Sequence, residues 1–211
     1  MKMLVTILVL SVQMVVGQTV HQLPFASQDN RLELAVENNS TIPLASVAVR
    51  LTNPPSWLRF QKTEERIESV EGKKEHVALF AFSVDRSAPV QESYTLIFSL
   101  STPSGESWTK EIALAILPPT IFDLYQNYPN PFNPTTTISY QLAAESRVRL
   151  TIFNLLGQEV ATPVEGERLA GFHTQVWDAS ALSTGVYVYR LLVEEKGRKP
   201  IVFTRTMVLV R

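Results

Sequence analysis

Apolar and polar residues alternate with period two along most of the chain. Leu32, Leu34 and Val36 alternate with Arg31, Glu33, Ala35 and Glu37, which predicts a strand with one wet face. Asn38-Asn39-Ser40 supplies turn chemistry, and Val47, Val49 and Leu51 form the next inward row. Asn53-Pro54-Pro55 ends that strand, because proline cannot donate to a ladder. Trp57 to Phe60 reads as a short strand. Gln61 to Glu75 is strongly charged, with Ile67 and Val70 its only large apolar residues, and predicts an exposed connection with one short strand. His76 to Val84 predicts a strand buried on both faces or nearly so. Tyr94, Leu96, Phe98 and Leu100 form another inward row, and after a turn at Pro103-Ser104-Gly105 so do Ile112, Leu114 and Ile116. Short antiparallel strands at this spacing point to an immunoglobulin-like sandwich.

Leu117-Pro118-Pro119-Thr120 marks a boundary, since two prolines stiffen the chain and forbid ladder bonds. A second β-unit follows. Strands are predicted near Thr136 to Leu142, Arg147 to Asn154, Gln158 to Ala161, Phe172 to Trp177, Gly185 to Val193 and Ile201 to Val210. Leu155-Leu156-Gly157 is a turn in which Gly157 takes positive φ without a Cβ clash. The expected fold class is all-β: two immunoglobulin-like antiparallel β-sandwiches in tandem, over 24–118 and 128–211, joined by a linker at 119–127.

The first residues follow a different pattern. Lys2 is followed by a run, Met3 to Val16, that is apolar apart from Thr6, Ser11 and Gln13. That run is short for a bilayer span, which needs about 20 apolar residues. It reads as a signal peptide over 1–17, cleaved between Gly17 and Gln18, with a buried N-terminal strand or helix as the alternative. No other segment is apolar enough for a permanent membrane span.

Composition narrows the function. Among 211 residues the net charge is −1 and there is no cysteine, which excludes disulfides and thiolate chemistry. The basic residues are dispersed, so no concentrated face exists to neutralise phosphates, and no nucleic-acid partner is expected. The three histidines, His21, His76 and His173, sit in separate segments without a ligand at metal spacing. The four aspartates lie outside any calcium-loop pattern, and Glu64, Glu65 and Glu68 fall in a solvated connection. No catalytic residue, metal ligand or cofactor is expected, and no nucleophile elbow, phosphate loop or dinucleotide fingerprint is present. Trp57 and Trp108 are the candidate ligand-binding residues, because an exposed aromatic face can stack on a sugar ring. The alternative for Trp57 is a place in the core.

The most specific string is Asn127-Tyr128-Pro129-Asn130-Pro131-Phe132-Asn133-Pro134. Its prolines fix φ and push each preceding residue to extended geometry, which predicts a stiff, polyproline-like ribbon without internal hydrogen bonds. Tyr128 and Phe132 are expected to clamp that ribbon to the following sandwich.

This string, the run from Arg147 to Val160 with Gly157, the Trp177-Asp178 pair, the run Leu182 to Leu191 with Gly185 and Tyr187, and the terminal Met207 to Arg211 together resemble the type A C-terminal sorting domain of the type IX secretion system. The resemblance covers roughly residues 122 to 211. Asn154 stands where the family often has aspartate, and arginines stand where the family's tail often has lysines. Flagellar hook-capping proteins share part of the pattern.

The resemblance implies an exported protein. It would cross the periplasm and be read by an outer-membrane secretion translocon. A surface processing protease would then cut within Leu117 to Phe122, leaving the product secreted or on the cell surface. Residues 24–118 resemble small immunoglobulin-like modules appended to glycosidases and adhesins, through Val36-Glu37-Asn38-Asn39, Pro54-Pro55-Ser56-Trp57 and Tyr94 to Phe98. That implies a structural or interaction module. The alternative is a cell-surface carbohydrate-binding accessory module with a glycan partner.

Overall fold

A computed structural model describes residues 20–211 and the backbone of Thr6–Val9. The Gly17–Gln18 junction lies outside the described residues. Thr6–Val9 (β1) runs parallel to the strand Asn30–Glu37 (β3), with Thr6 opposite Glu33 and Val9 opposite Val36. The chain divides into two compact units, Met1–Leu117 and Pro118–Arg211. Among the described residues there is no helix long and apolar enough to cross a membrane.

The N-terminal unit contains two sheets. One is ordered β1-β3-β7-β5, with β5 at Leu58–Phe60 and β7 at Glu75–Val84. The other is ordered β2-β9-β8-β4-β6, with β2 at His21–Leu23, β4 at Leu44–Leu51, β6 at Glu64–Val70, β8 at Ser93–Ser101 and β9 at Ser107–Ile116. The expected inward rows of both sheets meet in one core, where Phe80 and Phe98 pack with ring centroids 5.1 Å apart. This is a sandwich, because each sheet buries one face against the other.

Two expectations change. Gln61 to Glu75 is not chiefly a connection, because β6 is a full edge strand paired to β4 with Ile67 and Val70 in the core. Its charges lie on the wet side in exposed ion pairs, such as Arg50–Glu64 at 2.8 Å and Lys62–Glu65 at 3.0 Å. Charged side chains of this kind protect a sheet edge from further pairing. β7 buries one face rather than both: Ala78, Phe80, Phe82 and Val84 point inward while Val77 is exposed. β5 pairs with β7 only from Phe82 to Val84, and the Glu65 carboxylate accepts the N–H of Leu79 at 2.8 Å.

The C-terminal unit is a second sandwich. A three-stranded sheet is ordered β10-β11-β14, with β10 at Asp123–Leu124, β11 at Thr135–Leu142 and β14 at Gly171–Asp178. A four-stranded sheet is ordered β13-β12-β15-β16, with β12 at Ser146–Phe153, β13 at Glu159–Arg168, β15 at Gly185–Glu194 and β16 at Ile201–Leu209. The strand expected to end at Ala161 continues to Arg168. The register slips between Leu150 and Ile152 of β12, which carries the chain past Pro163, and β13 is an edge strand where proline is tolerated. Leu124 and Asn127 are buried, so part of the expected linker belongs to this sandwich.

Candidate functional site

The proline-rich segment between β10 and β11 is tied down by hydrogen bonds. Its peptides Tyr128-Pro129 and Asn130-Pro131 are cis. Tyr128 and Thr137 exchange backbone hydrogen bonds at 3.0 and 2.9 Å. On the other side the Phe132 N–H donates to Val208 O at 3.0 Å, and the Val210 N–H donates to Phe132 O at 2.9 Å. The Val208 N–H donates to Asn130 Oδ1 at 2.9 Å. The ribbon, expected to be clamped to the sandwich by the Tyr128 and Phe132 side chains, is instead stitched by backbone hydrogen bonds to β11 and to the end of β16.

A buried polar knot fixes this geometry. The Asn127 N–H donates to Tyr189 Oη at 2.9 Å, and Tyr189 donates to Tyr125 O at 2.9 Å. Asn127 Nδ2 donates to Thr136 Oγ1 at 2.9 Å and Pro129 O at 3.0 Å, and Thr136 in turn donates to Pro129 O at 2.9 Å. Gln126 Nε2 donates to Asn127 Oδ1 at 2.7 Å, completing the amide's partners. A buried amide needs such partners, because each missing one carries a desolvation penalty.

The two aromatic anchors behave differently. Phe132 is 1% exposed and packs on Trp177 with centroids 5.8 Å apart, as expected. Tyr128 is 82% exposed and clamps nothing. The cause is register. Tyr128 pairs with Thr137, whose neighbours Thr136 and Ile138 point inward. Position 137 therefore faces out, and Tyr128 lies on the outer face with exposed Val176 on the far side of Thr137.

Motifs distant in sequence converge on this end of the sandwich. The start of β11, the end of β12, the end of β14, the start of β15 and the end of β16 all lie here. The predicted residues Tyr128, Pro129, Asn130, Pro131, Phe132, Asn133, Pro134, Gly157, Gly185 and Tyr187 are thus brought to one pole. Tyr187 donates to Ser183 O at 2.7 Å and packs against Trp177. The guanidinium of Arg211 donates to Ser180 O at 3.0 Å and Leu182 O at 2.8 Å, fastening the last residue to the β14–β15 loop.

The β12–β13 turn projects from the same pole. Asn154 Oδ1 accepts the N–H groups of Leu156 and Gln158, each at 3.0 Å, and Gly157 has φ +77°. Leu155 and Leu156 at its tip are 72% and 83% exposed. Sequence reading placed the turn but missed that it presents both leucines to solvent. The signal available was a doubled leucine directly before the turn glycine. Sequence reading also missed Tyr189 as the support of Asn127. Burial raises the pKa of Tyr189, opposed by its bond to the Asn127 N–H, and burial likewise raises that of Tyr140.

In the N-terminal unit the two candidate tryptophans do not form one platform. Trp57 is half-buried, edge-on to Tyr94 with centroids 5.5 Å apart. Trp108 lies opposite Leu100, six residues further along β8. At about 3.3 Å per residue, the Tyr94 and Leu100 positions are about 20 Å apart. Trp108 is half-buried in a recess of about 570 Å³, lined also by Glu37, Asn38, Asn39, Ser40, Leu44 and Glu106. Among the described residues no cluster of His, Asp or Glu could hold a metal ion, and His173 stacks on Tyr140 with centroids 5.1 Å apart.

No curated protein matches this chain. Solved structures similar to it include dimeric latent PorU from Porphyromonas gingivalis, at 12% identity and TM-score 0.37, covering 92% of this chain and 19% of that one. The chain thus spans about a fifth of that structure's length. The CupB2 chaperone of Pseudomonas aeruginosa is similar at 11% identity and TM-score 0.30, covering 90% of this chain and 99% of the other. CBD12 from CALX1.2 is similar at 11% identity and TM-score 0.35, covering 83% and 77%. Residues 126–202 match the family model described as a secretion system C-terminal sorting domain, so the C-terminal unit of this chain carries a sorting domain of the type IX secretion system, and that tail implies export.

Proposed function

We propose that this is an exported, non-catalytic protein whose C-terminal unit is read by the outer-membrane translocon at the pole described above. The N-terminal unit is its passenger, a structural or interaction module. The observation that carries this reading is the gathering at one pole of motifs that span the matched segment, 126–202. The pole offers what a protein partner can use: exposed Tyr128, Leu155 and Leu156 held on rigid supports. Rigid apolar anchors lose little entropy on docking.

Residues 1–17 act as the signal peptide, cut before Gln18, and the protein passes through the periplasm. The surface protease cuts between the units, where Leu117, Thr120 and Ile121 are exposed and Pro119 is buried. The non-catalytic reading is supported by the placement of the glutamates in solvated ion pairs, Glu64 with Arg50 and Arg66 among them. Catalysis would require convergence of acid, base and nucleophile in a cleft.

The test compares the full chain with one truncated after Pro118. Both are expressed in a host with a type IX system, and the product termini are defined by mass spectrometry. The full chain should reach the surface or medium, starting near Gln18 and ending near residue 120, while the truncated chain stays periplasmic. Equal localisation of the two with the C-terminal unit retained would overturn the sorting role. A second reading, a carbohydrate-binding accessory module at the cell surface, is favoured by the half-buried Trp108 in its recess.

A further inference from the structure

We infer that the Trp108 end of the N-terminal sandwich is a binding site for one pyranose ring of a neutral glycan, a proposal that rests on the second reading above. Trp108 shares one face of β9 with half-buried Lys110 and with the core residues Ile112, Leu114 and Ile116, but the sandwich ends there and its ring is only partly covered. Leu44 lines the same recess and, like Trp108, packs against the core, so the two give the recess its apolar surface. The rim is polar and acidic, with Glu37 at the end of β3 and Glu106 before β9.

Two groups there face solvent. The Glu37 carboxylate makes no hydrogen bond or ion pair among the described residues, the Trp108 indole N–H donates to none of them, and neither is a buried atom left without a partner. A solvent-facing carboxylate and an indole N–H lining one recess can serve a ligand with both donors and acceptors. A sugar hydroxyl is such a group. Its O–H donates to the carboxylate, its oxygen accepts from the indole, and the ring's C–H face lies on the aromatic plane. The Lys73 ammonium is engaged with Asn39 O on the rim, and two carboxylates outnumber it, so phosphate, sulfate and uronate ligands meet a net negative recess. A simple ammonium would use the carboxylates and the aromatic face but not the N–H donor.

The rim is preorganised. Asn38 is buried, and its Nδ2 donates to Ile42 O at 2.7 Å and Val70 O at 2.8 Å. Its Oδ1 accepts the Ser40 N–H at 3.0 Å and the Ser40 hydroxyl at 2.7 Å. Gly72 lies under the same loop, and a Cβ there would fall 2.6 Å from the Thr41 backbone. The loop therefore keeps its shape without ligand, which lowers the ordering cost of binding.

The chain from Gln18 to Arg211, produced in a host without the secretion system so that both units are retained, is titrated by calorimetry with cellohexaose, xylohexaose, mannohexaose and chitohexaose. Trigalacturonate and tetramethylammonium serve as charged probes. At least one neutral hexasaccharide should bind. Trp108→Ala should weaken it at least about tenfold, and Trp108→Phe, which keeps the face and loses the donor, about threefold to tenfold. Glu37→Gln keeps an acceptor, and should cost under about fivefold for a neutral sugar but far more for a cation. Trp57→Ala should leave binding unchanged. Circular dichroism checks that each variant is folded, and the phenylalanine and glutamine variants decide the matter if Trp108→Ala is not. Sugar binding lost in Trp57→Ala and kept in the Trp108 variants would overturn this site while leaving the glycan reading standing. Binding of tetramethylammonium or trigalacturonate alone would overturn the ligand class. No binding of any neutral glycan would overturn the glycan reading itself.

Discussion

Asn127 in the C-terminal unit and Asn38 in the N-terminal unit are both 2% exposed, and both use their side-chain amides to pin a loop at the end of a sandwich. What surrounds them differs. Around Asn127 the polar atoms are consumed by Tyr189, Thr136, Pro129 and Gln126, and nearby exposure falls to apolar side chains, Tyr128 and the Leu155-Leu156 tip. Around Asn38 the exposure falls to polar groups flanking an aromatic floor, and Glu37 and Trp108 make no internal bond among the described residues. Satisfied polar groups with protruding apolar ones suit a macromolecular partner, which supplies dry surface. Open polar groups around a concave aromatic suit a small hydroxylated ligand.

The comparison breaks most easily at Phe132. Its removal empties a core position against Trp177, so Phe132→Ala should cost the C-terminal unit about 3–5 kcal/mol. Calorimetry of the full chain should show one transition falling while that of the N-terminal unit holds. If both fall together, the two units are not independent cooperative bodies.

A smaller effect tests the two asparagines against each other. Asn127→Ala leaves Thr136 and Gln126 with fewer partners, and Asn38→Ala removes one donor from each of the Ile42 and Val70 carbonyls and the acceptor of the Ser40 N–H. Each should cost about 1–3 kcal/mol in its own unit, read from urea midpoints at unchanged m-value. Asn38→Ala should also weaken hexasaccharide binding, since the recess rim loses its support. Asn127→Ala should leave that binding alone.

Much of the N-terminal core was legible in the sequence, because Leu32, Leu34 and Val36, or Val47, Val49 and Leu51, obey a period that geometry imposes on any half-buried strand. β6 was not, because five charged residues between Lys62 and Glu68 mask the two positions that turn inward. The proline-rich segment was legible as a motif but not as a shape. Proline fixes φ locally, whereas Tyr128 and Phe132 are sorted outward and inward by pairing with Thr137 and Val208, partners that no local rule names. Trp108 was a candidate from sequence, but the recess it shares with Glu37 emerges only when β3 and β9 are brought together.

Alkaline pH should separate the units by a lesser amount. Burial raises the pKa of Tyr140 and Tyr189, so the native C-terminal unit holds two protons more tightly than its unfolded chain. Their contribution is intact below the unfolded tyrosine pKa of about 10 and is lost as pH rises through the folded values. Between neutral pH and about pH 11 the C-terminal transition should therefore fall further than the N-terminal one. In the N-terminal unit, hydrogen bonds from Arg50 lower the pKa of Glu64, and the Ser87 N–H lowers that of Asp85. Those contributions fade instead as pH falls through the depressed carboxylate values. Tyr189→Phe should narrow the alkaline gap, at a neutral-pH cost from the Asn127 N–H left without its acceptor.

The smallest change in stability should come from Tyr128→Ser and from the paired Leu155→Ser, Leu156→Ser variant. These side chains are exposed and bury almost nothing, so each unfolding midpoint should move by less than about 0.5 kcal/mol. The backbone bonds of Tyr128 to Thr137 and the Asn154-centred turn do not depend on the side chains removed. Secretion should nonetheless fall severalfold for both variants, measured as the ratio of surface-plus-medium to periplasmic protein. The opposite pole provides the control: Leu169→Ser and Val202→Ser remove comparably exposed apolar groups and should leave the ratio intact. If all four behave alike, apolar exposure matters only for solubility and the pole is not a reading surface. If only the Tyr128 and leucine variants fail while their stability is untouched, then what the translocon reads is a folded pole assembled from distant motifs rather than a linear tail.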